Sequence, residues 1–491
     1  GVNTLGLASA QWYYDRKITT RLDQKTGSQI SYVVKHTAMP NAKVAIAGDL
    51  NGDKDIDWQD GAIAYRDIMN EPQGSEDVPN LVSQRIAENF ASQAAEPFLM
   101  TLDGVKKVNL NTDGLGQSII LKGYASEGHD SGHPDYGHVG ERIGGVEDMN
   151  TLISEGQKLG ALFGVHINAS EMYTEAKAFN NDLSAGNYGW NWLDQGIGIN
   201  SYYDLGSGAR WNRLNELKNA VGARNLKSAP GLNFIYLDVW GNGTTTNSED
   251  SWESRQIAKQ INDLGWRFTT EWGSTMEYDS TLQHWAADLT YGDASSKGQN
   301  SEVVRFLRNH LKDSWIADYQ SYGGEAEAPL LGGLTMTDFE GWAGRTDYDT
   351  YITKMFRHNV ITKFLQHYQV VDWEDAPESD RYTFSHTVSG GTHTHTWLPS
   401  KKITLRNTED ASDDTELIVT RKSTNHSNLA DYRSRTITMN GVEISNGSVT
   451  SGDNTNPGTE TYLIPWNWAA DGTDLAEADQ KLYHWNTKGG T

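Results

Sequence analysis

The chain has 491 residues, a formal net charge of −24, no cysteine, and hydrophobic and charged fractions of 37% and 22%. This length is enough for two or three globular domains, and the acidic balance argues against nucleic acids or anionic membranes as partners. The lack of cysteine excludes disulfides, thiol catalysis and zinc–thiolate sites. No run approaches the ~20 apolar residues of a membrane helix, so we predict no membrane insertion.

The first forty residues are rich in alternating polar and apolar residues, as in Ile30-Ser-Tyr-Val-Val. Such alternation is typical of β-strands. We interpret residues 1–40 as a short N-terminal β segment, the tail of a preceding domain. We also expect a chain that begins with Gly1-Val2 to be a piece of a longer secreted protein.

An acidic loop comes next, directly before a predicted helix that begins at Trp58. Its spacing resembles the calcium loops of EF-hand proteins, although Lys54 stands where glycine is usual. The candidate ligands are Asp49, Asn51, Asp53, Asp55, Asp57 and Asp60. We predict a structural Ca²⁺ ion here, and the alternative is a solvated acidic turn that caps the helix.

Predicted strands and helices alternate over residues 41–372. The predicted strands are Lys43–Gly48, Pro97–Leu102, Ser118–Tyr124, Leu162–Ile167, Asn233–Leu237, Arg267–Thr270, Ala286–Thr290 and Gly333–Thr337. The predicted helices are Trp58–Met69, Val146–Leu159, Ser251–Leu264, Ser301–Asp318 and Tyr348–Leu365. Eight strands alternating with helices predict an α/β fold, a (β/α)8 TIM-like barrel. The stretch from Ala169 to Ser228 is interpreted as a long active-site insertion.

Two acidic residues end consecutive predicted strands of this barrel. Asp238 ends Leu232-Asn-Phe-Ile-Tyr-Leu-Asp, and Glu271 ends Trp266-Arg-Phe-Thr-Thr-Glu. Their separation of 33 residues fits one strand–helix unit. Both carboxyl groups are therefore expected at the carboxyl ends of adjacent parallel strands, the catalytic face of a barrel. Two carboxyl groups in that position suit the cleavage of a glycosidic bond.

Residues 373–491 have a different texture, with period-two alternation between Gly, Asn, Asp and Ser turns. We predict a C-terminal antiparallel β-sandwich domain. His393 and His395 lie two residues apart on one strand, which we interpret as a solvated face rather than a metal site, because a third ligand is missing.

Several long motifs resemble glycoside hydrolase family 101, the endo-α-N-acetylgalactosaminidases. They are Asn233-Phe-Ile-Tyr-Leu-Asp-Val-Trp-Gly, Phe268-Thr-Thr-Glu-Trp-Gly, Asp57-Trp-Gln-Asp-Gly-Ala-Ile-Ala-Tyr-Arg-Asp-Ile and Gly123-Tyr-Ala-Ser-Glu-Gly-His-Asp-Ser-Gly-His-Pro-Asp. The resemblance implies a retaining hydrolase that releases Gal-β1,3-GalNAc from Ser or Thr of mucin-type glycoproteins. It also implies that Asp238 is the nucleophile and Glu271 the acid/base.

The resemblance further implies that Asp130 and His133 contact the sugar and that Trp190 and Trp192 close over it. Trp240, Trp272 and Trp342 stand near acidic strand ends, where indole rings can stack on sugars, and we predict that they also bind substrate. The family often has Gln after the last of these tryptophans, whereas this chain has Ala343, which leaves the disaccharide specificity open.

Three alternatives remain at this stage. The first alternative is a barrel glycosidase of other specificity, and the second is a non-catalytic module that binds mucin glycans. The least favoured is a metallohydrolase built on His129 and His133. O-glycosylated glycoproteins as partners and the lack of cysteine favour an extracellular location, secreted or attached to the bacterial surface.

Overall fold

The computed structural model describes residues 15–22, 29–35, 42–90, 94–129, 131–184, 197–222, 231–238, 251–272, 279–285, 305–308, 313–314, 330–331, 337–339, 348–388, 391–397, 400–422, 435–448, 459–466 and 481–485. The first twelve strands are β1 (Asp15–Leu22), β2 (Gln29–Lys35), β3 (Leu81–Glu88), β4 (Gly116–Lys122), β5 (Ala161–Asn168), β6 (Glu171–Met172), β7 (Ile197–Gly198), β8 (Phe234–Asp238), β9 (Arg267–Trp272), β10 (Leu282–Trp285), β11 (Asp313–Ser314) and β12 (Thr337–Phe339). Strands β1 and β2 pair antiparallel, in agreement with the predicted N-terminal β segment.

Eight of these strands form one parallel sheet, in the order β11-β10-β9-β8-β5-β4-β3-β12. The last strand along the chain, β12, therefore pairs with the first strand of the sheet, β3. An open sheet whose right-handed connections all advance in one direction cannot bring its last strand beside its first, whereas a barrel does so. The strand order confirms the predicted (β/α)8 architecture, and β11 and β12 are the two ends of that order.

The helices with described bounds are α1 (Trp58–Arg66), α2 (Phe98–Asn111), α3 (Gly145–Gln157), α4 (Ser201–Gly206), α5 (Ala209–Val221), α6 (Ser251–Asp263), α7 (Tyr348–Lys354) and α8 (Val360–Gln366). Residues 305–308 are also helical. A π-helical segment, Met355–Asn359, joins α7 to α8. Short 3₁₀ turns lie at Ser75–Asn80, Glu141–Ile143 and Glu378–Asp380. None of the helices in these ranges is long and apolar enough to cross a membrane.

Two predicted strands at the start of the barrel are wrong. Residues Lys43–Gly48 have no regular structure, and Ile46 is 95% exposed. Residues Phe98–Leu102 instead form the start of helix α2, and Pro97 is the residue directly before it. The first barrel strand is β3, which is buried along its whole length although it carries Ser, Gln, Arg and Glu. An apolar run does not mark this strand in the sequence, because half of its residues are polar or charged.

The later strands also differ from prediction. The predicted helix Ser301–Asp318 is helical at residues 305–308, but Asp313–Ser314 form strand β11. Strand β10 ends just before the predicted strand Ala286–Thr290, which lies outside the described residues. Strand β12 overlaps the end of Gly333–Thr337. The predicted helices beginning near Trp58, Val146, Ser251 and Tyr348 are confirmed.

The predicted insertion between Ala169 and Ser228 has secondary structure of its own. Strands β6 and β7 pair antiparallel, and helices α4 and α5 follow. Met172, Leu183, Ile197 and Ile199 form a small buried cluster between the two strands. The described part of the insertion, which we call its base (residues 169–184 and 197–222), is therefore folded and is not one long loop.

After α8 the chain enters an antiparallel sheet, as predicted for the C-terminal region. Its strands, in chain and sheet order, are β13 (Gln369–Asp375), β16 (Ser400–Arg406), β17 (Glu416–Arg421), β18 (Arg435–Met439), β19 (Val442–Ser448), β20 (Thr459–Trp466) and β21 (Lys481–Trp485). A separate hairpin pairs β14 (Tyr382–Val388) with β15 (Gly391–Trp397). One hydrophobic cluster includes Val82 of β3, Leu365 of α8 and Ile403 of β16, so the barrel and this sheet share a core.

Candidate active site

Side chains alternate along β8 between the outside and the inside of the barrel. Ile235 and Leu237 belong to the large cluster that packs against the helices. Phe234 and Tyr236 belong to a separate buried cluster with side chains from three other barrel strands. Because successive side chains point to opposite faces, Asp238 also lies on the interior side. It stands at the carboxyl end of its strand, where barrel enzymes place their active sites.

Glu271 lies beside Asp238. Strands β8 and β9 are parallel and in register up to the pair Leu237 and Thr270, and Asp238 and Glu271 stand one residue further along. Residues in register on parallel neighbours project to the same face, with backbones ~4.8 Å apart. The Asp238 side chain is 14% exposed, and Glu271 is half-buried. The fold thus brings the two predicted catalytic carboxyl groups side by side, while their roles remain predictions.

A buried histidine contacts the Asp238 carboxylate. His166 Nε2 of β5 lies 3.4 Å from Asp238 Oδ1, and the His166 side chain is 4% exposed. The His166 ring stacks on Tyr236 at 5.1 Å and meets the edge of His129 at 5.1 Å. Packing on two sides fixes the His166 ring, so Asp238 has a partner of defined geometry.

The environment of Asp238 favours its charged form. Burial raises the pKa of this carboxyl, but the electrostatic attraction and hydrogen bond of His166, together with the positive charge of Lys122, outweigh that effect. The pKa of Asp238 is therefore held well below its usual range. An aspartate that stays ionised at neutral pH suits the role of a nucleophile.

Glu88 and Lys122 extend this polar row across the neighbouring strands. They are in register on β3 and β4, and Lys122 Nζ lies 3.0 Å from Glu88 Oε1. The Glu88 side chain is 1% exposed and that of Lys122 18%, so the ion pair lies at the mouth of the barrel. Asn168, at the end of β5, is in register with Asp238. The sequence analysis missed these three residues and His166. The only available signal was their position near the ends of buried strands.

His129 and His133 lie in the loop after β4, and both are buried. Burial is the main cause that lowers the pKa of His133 to about 4, and it also lowers the pKa of His129 well below 6.5, aided by Lys122 and His166. Both rings are neutral at pH 7 and therefore act as hydrogen-bonding groups rather than cations. Within the described ranges, no three His, Asp or Glu side chains are gathered as metal ligands, so a metal reading of this pair gains no support.

Several predicted site residues lie outside the described residues. They are Asp130, Trp190, Trp192, Trp240 and Trp342, together with Ala343. Trp272 is the last residue of β9, but its side chain is not described. The side chains of His393 and His395 in β15 are likewise outside the description. The predictions for all of them stay predictions.

The acidic loop does not follow a barrel strand, contrary to expectation. Asp49 accepts hydrogen bonds from the backbone N–H groups of Gly52 and Lys54, and Asp60 accepts from Asp57 in a capping box at the start of α1. Lys54 has a φ of 78°, the left-handed conformation that glycine usually supplies in calcium loops. The oxygen donors are of the type that Ca²⁺ prefers, but the described carboxylates do not form a group of three that could hold a metal ion, and the calcium site stays a prediction.

Replacement of His166 by phenylalanine is expected to change the pH dependence of the enzyme. Without the His166 partner, burial dominates and raises the pKa of Asp238. The acid limb of kcat/KM, the pH range in which Asp238 becomes protonated and inactive, should then move to higher pH. The matched control is His138→Phe, an exposed histidine of the same loop, which should leave the limb in place. An unchanged limb in His166→Phe would contradict the assigned partnership.

Comparison with family models matches residues 59–352 to a family described as endo-alpha-N-acetylgalactosaminidase. Residues 358–491 match a glycosyl hydrolase 101 beta sandwich domain, and residues 1–58 match a galactose mutarotase-like fold domain. The domain boundaries predicted at residues 40 and 372 stay predictions.

A protein of Renibacterium salmoninarum with the provisional name endo-alpha-N-acetylgalactosaminidase is 36% identical over 459 residues. The match covers 92% of this chain and 25% of that protein, so the chain spans about a quarter of its relative's length. Among solved structures, the ligand-free alpha-N-acetylgalactosaminidase NagBb from Bifidobacterium bifidum has a TM-score of 0.46 and 16% identity, covering 65% of this chain and 59% of that one. A cyclic alpha-maltosyl-(1→6)-maltose hydrolase from Arthrobacter globiformis has a TM-score of 0.40 and 13% identity, with coverages of 72% and 89%.

Proposed function

We propose a specific reaction for this chain, which belongs to the endo-α-N-acetylgalactosaminidase family of glycoside hydrolases, family 101. In this reaction the chain releases the disaccharide Gal-β1,3-GalNAc from Ser or Thr of mucin-type glycoproteins, and the anomeric carbon keeps its configuration. The observation that carries the proposal is the register of β8 and β9, which supports Asp238 and Glu271 as a carboxylate pair on one face. Neighbouring in-register residues favour the ~5–5.5 Å carboxyl separation of retaining enzymes over the ~6.5–9.5 Å of inverting ones.

In the first step, an Asp238 carboxylate oxygen attacks the anomeric carbon of the GalNAc unit. Glu271, protonated at this stage, gives its proton to the Ser or Thr oxygen as the glycosidic bond breaks. The products are a glycosyl ester of Asp238 and the free hydroxyl of the protein substrate. The buried contact with His166 and the nearby charge of Lys122 support an ionised Asp238 at the start of this step.

In the second step, the Glu271 carboxylate takes a proton from water, and the water oxygen attacks the anomeric carbon. The ester bond to Asp238 breaks, the sugar leaves as the α-anomer, and both carboxyl groups return to their starting protonation states. His129 and His133, neutral at pH 7, would hydrogen-bond sugar hydroxyls in both steps. Such substrates are extracellular glycoproteins, which agrees with the predicted extracellular location.

The test is incubation of the chain with a synthetic peptide that carries a single Gal-β1,3-GalNAc on threonine. We expect mass spectrometry to show the intact disaccharide and the unmodified peptide. Proton NMR at early times should show the α-anomer first. Release of galactose alone would contradict the endo specificity, and the β-anomer as first product would contradict retention. Binding of the glycopeptide without cleavage would favour a non-catalytic module.

A further inference from the structure

The loop that carries His133 is bonded to the base of the insertion by four hydrogen bonds. The Asp135 carboxylate accepts two of them, from Lys177 N at 2.6 Å to Oδ2 and from Ala178 N at 2.9 Å to Oδ1. Tyr173 N donates to the His133 carbonyl at 2.8 Å, and Gly132 N donates to Glu175 Oε1 at 3.2 Å. We call this set of contacts between residues 132–135 and 173–178 the loop clamp.

The centre of the loop clamp is buried. Asp135 is 8% exposed, and Tyr173 is 2% exposed. Because both Asp135 oxygens accept from consecutive backbone N–H groups, the carboxylate fixes the direction of the chain at 177–178 as well as its distance. Charge-assisted hydrogen bonds to backbone N–H groups are among the stronger ones in proteins, especially away from water. A single side chain therefore joins two segments that lie 42 and 43 residues apart in sequence.

The ring of His133 lies beside this clamp. It lies between Tyr136 and Tyr173, with centroid distances of 6.3 and 6.4 Å, and His133 is 3% exposed. Among the described residues, His133 Nδ1 has no hydrogen-bond partner. Packing against the two tyrosine rings and the backbone bond of the clamp therefore contribute to the position of the ring. A buried ring nitrogen left without a protein partner is also suited to a hydroxyl of a bound sugar.

We propose that Asp135 is a positioning residue, which acts by holding His133 in the orientation that binds the sugar. The proposal rests on the proposed function for its substrate, but the clamp itself can be tested without substrate. Both Asp135 oxygens accept bonds from backbone N–H groups, so the proposed effect of Asp135 on the sugar passes through His133. Its loss should shift His133 relative to the barrel mouth, and a displacement of about 1 Å in a binding group can lower activity by up to ~10²-fold.

The substrate-free test is amide hydrogen exchange in Asp135→Asn. The asparagine NH₂ group cannot accept the second backbone N–H, so one bond is lost and a donor faces a donor. We expect faster exchange in peptides covering residues 131–138 and 173–178, with the rest of the barrel unchanged. Exchange equal to that of the wild type in both segments would overturn the clamp, whatever the substrate is.

The functional test is a double-mutant cycle of Asp135→Asn with His133→Ala, using the peptide that carries Gal-β1,3-GalNAc on threonine. We expect Asp135→Asn alone to lower kcat/KM by ~10- to 100-fold, mainly through KM, and to have little further effect once His133 is absent. Equal and additive losses in both backgrounds would assign Asp135 a merely structural role and overturn the proposal. If the wild-type chain releases no disaccharide, the proposed function is refuted. The hydrogen-exchange test then decides by itself whether the loop clamp exists.

Two further variants keep the result interpretable. Asp103→Asn makes the same chemical change at a side chain that is 76% exposed on helix α2, and it should match the wild type in exchange and activity. Asp135→Ala removes both acceptors and should lower kcat/KM at least as much as Asp135→Asn. Wild-type activity of Asp135→Ala would show that the carboxylate of Asp135 is not what positions His133.

Discussion

Replacement of Asp238 by asparagine is expected to lower kcat for glycoside cleavage by at least ~10⁴-fold, the scale seen when the nucleophile of a catalytic group is removed. The amide has nearly the same shape as the carboxylate but cannot form the glycosyl ester. Since a better leaving group does not replace a missing nucleophile, the loss should be similar for a glycopeptide and for a p-nitrophenyl glycoside. Steady-state kinetics with both substrates measures this.

The matched control for this variant is Asp263→Asn, on the exposed side of helix α6, where the carboxylate pairs with Lys259 of the same helix. Surface pairs of this kind contribute little to stability, so the control should keep wild-type activity. Thermal unfolding of both variants separates lost chemistry from lost folding. Turnover by Asp238→Asn within tenfold of the wild type would refute the nucleophile assignment.

Replacement of Glu271 by glutamine is expected to depend strongly on the leaving group. With Ser or Thr as leaving group, kcat should fall by ~10²–10⁴-fold, because the departing oxygen needs a proton. With p-nitrophenolate, which leaves without protonation, formation of the glycosyl–Asp238 ester should proceed at a much less reduced rate. The ester should then accumulate, since no base activates water for its hydrolysis.

Azide provides the decisive measurement for Glu271. As an anion it needs no general base, so it should attack the ester, restore turnover of the aryl glycoside and yield an α-glycosyl azide. Glu155→Gln, an exposed position on α3 paired with Lys158, is the control and should behave like the wild type. Equal losses with both leaving groups and no azide effect would show that Glu271 is not the acid/base.

The parts of the fold that were predicted correctly depend on local periodicity. Helix α6 has Ile257 and Ile261 on one buried face, and the same spacing is visible in the sequence. Strand β8 is a short apolar run that ends at Asp238, and β9 carries Glu271 as its last residue but one, so both strands occur where they were predicted. Long motifs around these strands also identified the family. In each case the information lies within about fifteen consecutive residues.

The errors occurred where burial depends on distant partners. Gln84 and Glu88 of strand β3 are polar, yet both are buried. They face the interior of the barrel rather than the surrounding helices. Gln84 hydrogen-bonds to Asp313 of β11, and Asp313 in turn accepts from the buried Lys363 of α8. Polar residues can occupy such positions only when partners from other strands satisfy them. A pattern search that equates buried strands with apolar runs cannot find them.

The sequence by itself determined the two carboxyl groups and their strand ends, because the 33-residue separation and the flanking motifs are local features of the chain. Only the tertiary structure decided which groups surround them. The register of β5 with β8 brings His166 to Asp238, and the register of β3 with β4 joins Glu88 to Lys122. Register between strands is fixed by the packing of the whole barrel, so contacts across it depend on many residues at once. For the same reason, the bond between Asp135 and residues 177–178 becomes visible only in the folded chain.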